Sequence, residues 1–216
     1  ETRNYLRGYR EKVFLTGNPL RQKLEKLEKE RAISFLGLSS QKFTFLVMGG
    51  SQASRAINRI FMEAIKDFEF KEKIQVVHLC GKEDKYALEN FYRELNLEAK
   101  VFSFFAQMQY LYSVADLAIS RAGATTIAEL IEFRLPAVLI PYPYADGHQL
   151  LNARVLEDIG SAVVIPEDEL SSQRLKERLR QFIASPELIK RMSLNYERFK
   201  NLNPQDRLKD LVLSLL

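Results

Sequence analysis

The stretch Arg121–Ala153, RAGATTIAELIEFRLPAVLIPYPYADGHQLLNA, decides how the chain is read. It follows Leu117-Ala118-Ile119-Ser120, a short apolar run of the kind that forms a buried strand. Ala122-Gly123-Ala124 then carries almost no side-chain bulk, so a ligand can approach the backbone closely. Helical periodicity starts at Thr125 or Thr126 and continues through Ile127, Leu130 and Ile131. The first amides of such a helix lack internal partners and its dipole favours negative charge, so a pyrophosphate fits there without a lysine. Glu129 lies one turn further in, where a carboxylate can accept hydrogen bonds from two ribose hydroxyls. A second reading of the same residues stays open: Thr126-Ile-Ala-Glu129 matches a capping box, in which Thr and Glu only satisfy the helix end.

Downstream, Leu135-Pro136-Ala137-Val138-Leu139-Ile140-Pro141 reads as a strand buried on both faces, with a proline marking each end. The polar loop beyond it carries Asp146, His148, Gln149 and Asn152. His148 and Gln149 fall at the start of another helix, with Asn152 a turn later. Open α/β sheets bind ligands in loops at the C-terminal ends of their strands. The plainer alternative is a solvated loop with Asp146 as an N-cap.

Two segments upstream repeat the strand-then-turn pattern. Phe43–Met48 is a strand broken by Gly49-Gly50-Ser51-Gln52-Ala53-Ser54, and a helix follows through Ile57, Ile60, Phe61, Ala64 and Ile65. Glycines that free backbone amides, together with the Ser51 hydroxyl, suit a phosphate cradle, although many such turns carry glycine for tight geometry alone. The turn is neither G-x-G-x-x-G nor a Walker A loop. Val13-Phe14-Leu15-Thr16 reads as a further short strand that ends in Gly17-Asn18-Pro19-Leu20-Arg21. Arg21 can reach a phosphate or a sugar hydroxyl, or can be an ordinary exposed residue.

Taken in order, TGNPLR at 16–21, GGSQ at 49–52, RAGATTIAE at 121–129 and DGHQLLNA at 146–153 resemble the C-terminal domain of the MurG family. These bacterial transferases move N-acetylglucosamine from UDP onto undecaprenyl-pyrophosphoryl-MurNAc-pentapeptide in peptidoglycan synthesis. The resemblance covers nearly the whole chain. It implies the C-terminal half of a GT-B glycosyltransferase: a Rossmann-like parallel sheet flanked by helices, with the donor nucleotide held mainly by this half. By the same resemblance, Arg21 and Ser51 contact donor phosphate or sugar, and Phe105 lies beside the uracil. Ala124, Thr125 and Thr126 meet the diphosphate, and Glu129 holds the ribose. His148 and Gln149 face the N-acetylglucosamine hydroxyls, with Asp146 and Asn152 shaping the loop. The chain departs from the family's pattern at Ala53 and Ala122, where relatives usually have Gly and often have Ser. An alanine forced to positive φ at 53 costs about 1 kcal/mol or shifts the loop.

The family's N-terminal domain carries a glycine-rich loop with a histidine for the lipid pyrophosphate, and nothing in this chain matches it. Of the two histidines, His78 lies within Ile74–Cys80 and reads as a core or strand-edge residue, not a base. The chain opens on Glu1-Thr-Arg-Asn without a methionine and is expected to be a piece of a longer protein. Acceptor binding and the catalytic base are expected outside it, so donor binding without turnover is the expectation for the chain alone.

At 216 residues and 46% hydrophobic composition, one core can be buried. Candidate strands lie near 13–16, 43–48, 74–80, 101–104, 117–120, 137–140 and 162–165. Alternation with helices predicts a parallel α/β sheet. From Ser171 the pattern is all helical, with helix starts at Ser171, Ser185-Pro186 and Asn203-Pro204. Residues 1–200 are expected to form the UDP-sugar-binding domain, and 201–216 a helix that packs on an N-terminal domain.

The net charge of +4 does not indicate nucleic acid, because acids are interspersed and no basic run alternates with aromatics. No apolar run approaches the roughly 20 residues of a membrane span. The lone Cys80 excludes an internal disulfide, and no metal spacing appears. No cofactor is implied. The resemblance places the full-length protein peripherally on the cytoplasmic face of the bacterial plasma membrane, with UDP-N-acetylglucosamine and a lipid-linked acceptor as partners. Two alternatives share the fold. One is a stand-alone UDP-N-acetylglucosamine-binding subunit active only with a separate acceptor-domain chain. The other is a non-hydrolysing UDP-sugar epimerase, which needs further acids and a basic cluster not found here. The absence of G-x-G-x-x-G argues against an NAD dehydrogenase.

Overall fold

Six of the expected apolar runs pair into one parallel sheet in the order β3-β2-β1-β4-β5-β6. The computed structural model describes residues 13–22, 24–49, 54–144, 147–200 and 203–214. The strands are β1 (Phe43–Met48), β2 (Ile74–Leu79), β3 (Ala99–Phe102), β4 (Leu117–Ser120), β5 (Ala137–Leu139) and β6 (Ala162–Val164). Before, between and after them come α1 (Lys29–Leu36), α2 (Arg55–Lys66), α3 (Lys85–Glu94), α4 (Met108–Val114), α5 (Ala124–Phe133), α6 (His148–Asp158), α7 (Ser172–Ala184), α8 (Pro186–Leu194) and α9 (Pro204–Ser214). Expected and observed strand ends differ by one or two residues. The neighbouring residue often keeps the ladder going, as where the Ile140 N–H donates to the Ser120 carbonyl at 2.8 Å.

The central strands are mostly apolar because helices cover both faces, with Thr44, Gln75, His78 and Ser120 as buried polar exceptions. Successive side chains point to opposite sides of a strand. Leu46 and Met48 therefore join one core with Leu111 of α4, Leu130 of α5 and Leu156 of α6, alongside Ala32 of α1. Phe45 and Val47 join the other with Phe61 of α2, Leu88 of α3, Leu179 of α7 and Met192 of α8. Helix starts follow their local chemistry. Ser54 caps α2 by accepting from the Ile57 N–H at 3.4 Å, and Ser171 caps α7 from Arg174 at 3.2 Å. Pro186 opens α8, where its missing N–H costs nothing.

The expected strand at 13–16 does not form. Residues 13–20 lie outside regular structure, and Phe14 and Leu15 are 58% and 74% exposed. An apolar triplet becomes a strand only where a sheet edge is there to pair with. This segment instead runs beside the start of α5, where Asn18 Nδ2 donates to Thr125 Oγ1 at 3.5 Å. Gly17, at φ +84, packs so closely on Pro204 that a Cβ would lie 2.9 Å from its ring. The entry segment is thus tied both to α5 and to the first residue of α9. Along α9 no residue is buried, and Val212 and Leu213 remain half exposed.

Candidate functional site

The strand order reverses direction between β1 and β4, where Met48 sits beside Ser120. Connections leave these two strands toward opposite faces and open a crevice at their C-terminal ends. One wall is the end of β1 and the Ser54 N-cap of α2. Ser51 and Ala53, together with Asp146 of a later loop, lie outside the described residues. The other wall is the start of α5.

α5 begins at Ala124 with Gly123 as N-cap, and no side chain caps it. The capping box suggested by Thr126 and Glu129 is therefore not formed: Thr126 is the third helical residue, not the cap. Among the described residues the N–H groups of Ala124, Thr125 and Thr126 have no acceptor, while Ile127 makes the first helical bond, to Gly123, at 2.9 Å. Ala124 and Thr125 are exposed. Three open amides and the positive end of a helix dipole thus face the crevice.

Glu129 is half-buried, and its Oε2 accepts a 2.6 Å hydrogen bond from the Tyr112 hydroxyl. Burial pushes the Glu129 carboxyl above the usual carboxylate range, against the opposing pull of the Tyr112 bond and the Arg21 charge. Arg21 is exposed and close enough to act electrostatically on both Glu129 and Tyr112. The structure therefore gathers Arg21, Ala124, Thr125, Thr126 and Glu129 around one helix start.

His148, Gln149 and Asn152 open α6, behind Gly147 in the left-handed conformation at φ 70°. Gln149 Oε1 accepts from the N–H of Ala122 at 3.1 Å and of Tyr142 at 3.0 Å. Asn152 Nδ2 donates to the Ala122 carbonyl at 3.1 Å. Both backbone groups of Ala122 are thereby clamped from α6, which joins the β4–α5 turn to the β5–α6 loop. The Gln149 carbonyl is consumed in this clamp, so its amide nitrogen is what remains to meet a ligand. His148 is exposed beside it. Phe105 stands apart on the β3–α4 connection, its ring 4.6 Å from that of Phe102 and its edge against the core beneath α4.

Two residues had no assigned role in the sequence. Arg121, 7% exposed at the end of β4, donates to the Ile140 carbonyl at 3.2 Å and to Ser54 Oγ at 2.9 Å. It also pairs with Glu167 and lies 5.3 Å under the Tyr142 ring. One guanidinium thus ties together the ends of β4 and β5 and the start of α2. Its signal was an arginine directly after a buried apolar strand. Tyr112, 2% exposed within the apolar run of α4, is the other. A buried tyrosine whose hydroxyl needs a partner was its signal.

His78 sits elsewhere, fully buried, with Nδ1 2.7 Å from the Tyr92 hydroxyl and Nε2 3.0 Å from Asn58 Oδ1. Burial lowers its pKa to about 3, so it stays neutral and structural, as the sequence suggested. Among the described residues no cluster of His, Cys, Asp or Glu could hold a metal ion.

A family model described as the glycosyltransferase family 28 C-terminal domain matches residues 44–206. A transferase of Thermodesulfovibrio yellowstonii is 37% identical over 96% of this chain and 57% of its own length. Its name is UDP-N-acetylglucosamine--N-acetylmuramyl-(pentapeptide) pyrophosphoryl-undecaprenol N-acetylglucosamine transferase. The protein of the same name from Halothermothrix orenii is 36% identical over 91% of the chain and 55% of its own length. The chain therefore spans a little over half the length of these curated relatives. Among solved structures, Acinetobacter baumannii MurG superposes with a TM-score of 0.75 at 27% identity, covering 94% of this chain and 59% of that one. WaaG, a glycosyltransferase of lipopolysaccharide biosynthesis, shares the fold at 18% identity and a TM-score of 0.65.

Proposed function

The chain belongs to the glycosyltransferase family 28 C-terminal domain family, and from that premise and the crevice geometry we propose that it is the donor-binding half of an N-acetylglucosaminyltransferase. Its donor is UDP-N-acetylglucosamine, and the full-length protein transfers the sugar to lipid-linked MurNAc-pentapeptide. The observation that carries this reading is the uncapped start of α5 at the sheet's reversal point, with Glu129 in its second turn and Arg21 beside it. The amides of Ala124, Thr125 and Thr126 take the diphosphate, assisted by Arg21 and Ser51. Glu129 takes the ribose hydroxyls, and Phe105 flanks the uracil. His148 and the Gln149 amide nitrogen meet the N-acetylglucosamine, with Asn152 holding the loop.

In the transfer, the acceptor oxygen forms a bond to the anomeric carbon as the bond to the diphosphate breaks and UDP departs. Charge then grows on the diphosphate, where three fixed N–H groups and a helix dipole stabilise it. The acceptor site and the base lie in another domain, onto which α9 packs. No described helix is long and apolar enough to cross a membrane. Membership of this transferase family supports a peripheral place for the full-length protein at the cytoplasmic face of the plasma membrane.

Calorimetric titration of this chain tests the reading. Saturable binding of UDP-N-acetylglucosamine, weaker binding of UDP-glucose and no binding of NADH are expected. Binding of NADH in preference to the UDP-sugar contradicts it.

A further inference from the structure

The ring of Tyr112 runs alongside α5, touching residues one helical turn apart. It packs against Phe133 with centroids 5.0 Å apart, and its hydroxyl donates to Glu129 Oε2 at 2.6 Å. The hydroxyl also approaches Met48 Sδ at 3.7 Å, but a thioether is a poor acceptor and the single proton goes to the carboxylate. At 2% exposure the ring cannot swing away, whereas a glutamate on a helix otherwise has several rotamers. No other hydrogen bond to the Glu129 carboxylate occurs among the described residues.

We propose that Tyr112 is a positioning residue that fixes the Glu129 carboxylate to receive a vicinal diol, and so makes the site demand a ribose. This rests on the assignment of Glu129 to the ribose made above. The chemistry is one of division of labour. A diol donates two hydrogen bonds and asks for a carboxylate that is ionised and held in one plane. A carboxylate carried into a half-buried site tends to protonate, and to turn unless something grips one oxygen. Tyr112 supplies both corrections with one O–H bond. It cannot become a competing anion, because burial and the adjacent Glu129 charge push its own pKa well above the usual phenol value. Among the described residues, the charged and titratable groups that face Glu129 are Tyr112 from α4 and Arg21 from the entry segment, and both favour its ionised form.

The test is to titrate the wild-type chain and Tyr112→Phe with UDP and with its 2′,3′-dideoxy analogue. The substitution removes one oxygen and keeps the ring that packs on Phe133. Wild type should prefer UDP. Tyr112→Phe should bind UDP about tenfold more weakly, as expected for loss of a hydrogen bond to a charged group, and bind the dideoxy analogue unchanged. An equal loss for both ligands would show a merely structural tyrosine and overturn the proposal. A second readout needs no ligand: the carbon-13 titration of the Glu129 carboxyl. Its pKa should rise in Tyr112→Phe, since a contribution that lowers it has been removed, and an unmoved pKa overturns the proposal equally. If wild type does not distinguish the two nucleotides, and Glu129→Gln keeps full affinity for UDP, the ribose assignment itself has failed and takes this inference with it.

Discussion

Around the start of α5, the amides of Ala124, Thr125 and Thr126 have no partner among the described residues, and Glu129 is gripped by Tyr112 alone. Beside it, Gln149, Asn152 and Arg121 have turned their polar atoms inward onto the backbone of Ala122, Tyr142 and Ile140 and onto Ser54. One side keeps hydrogen-bonding capacity for a ligand. The other spends it on holding the first side in shape. Residues of similar polarity, drawn from one short stretch of sequence, therefore predict different phenotypes: loss of binding on the α5 side and loss of stability on the α6 side.

Arg121→Leu should break this contrast most severely. It removes the bonds to Ile140 and Ser54 and leaves Glu167 without its partner, so a loss of about 3 kcal/mol in urea unfolding is expected. A change below about 0.5 kcal/mol would mean that the guanidinium is not what joins the strand ends. Gln149→Ala comes next. Two backbone N–H groups lose their acceptor, at a cost of about 1–3 kcal/mol, and donor affinity should fall as the β4–α5 turn relaxes. If only affinity fell, with the melting curve unmoved, the Gln149 carbonyl would not be what holds the β4–α5 turn in place.

Glu129→Gln should show the opposite signature: weaker donor binding with stability gained at neutral pH. The sign follows from linkage. The folded carboxyl has a raised pKa, so as pH increases the unfolded chain ionises first and unfolding is favoured. The penalty is absent below the ordinary carboxyl value of 4.5, grows up to the folded pKa and stays constant above it. The stability advantage of Glu129→Gln should thus be seen at pH 7 and vanish below about pH 4 in matched denaturation curves. Asn18→Ala should do least. Its bond to Thr125 is long, at 3.5 Å, and exposed, so a stability change within about 0.5 kcal/mol is expected in the same assay.

Much of this was legible in the sequence. Apolar runs marked all six strands, because strands covered by helices on both faces are largely apolar even where a buried Thr44, Gln75, His78 or Ser120 interrupts them. The near absence of side-chain bulk in Ala122-Gly123-Ala124 marked the approach to a helix start. What failed did so for want of partners. Val13-Phe14-Leu15 has strand composition, but propensity does not reveal whether an edge is available to pair with. Thr126 and Glu129 have capping-box spacing, yet the helix begins two residues before Thr126 and the motif falls inside it. The backbone partners of Gln149 and Asn152 were simply not legible, since their bonds to Ala122 reach 27 and 30 residues back in sequence and no local spacing discloses that. Tyr112 was hidden in an apolar helix for the same reason, its partner lying 17 residues away.

The central claim is that the bare start of α5 receives a diphosphate. Its most direct test is to follow the backbone amide resonances of the nitrogen-15-labelled chain as UDP is added. The amides of Ala124, Thr125 and Thr126 should shift saturably and together, with Glu129 following, while those around buried His78 stay in place. Saturable binding of UDP that leaves the three α5 amides unmoved would contradict the account.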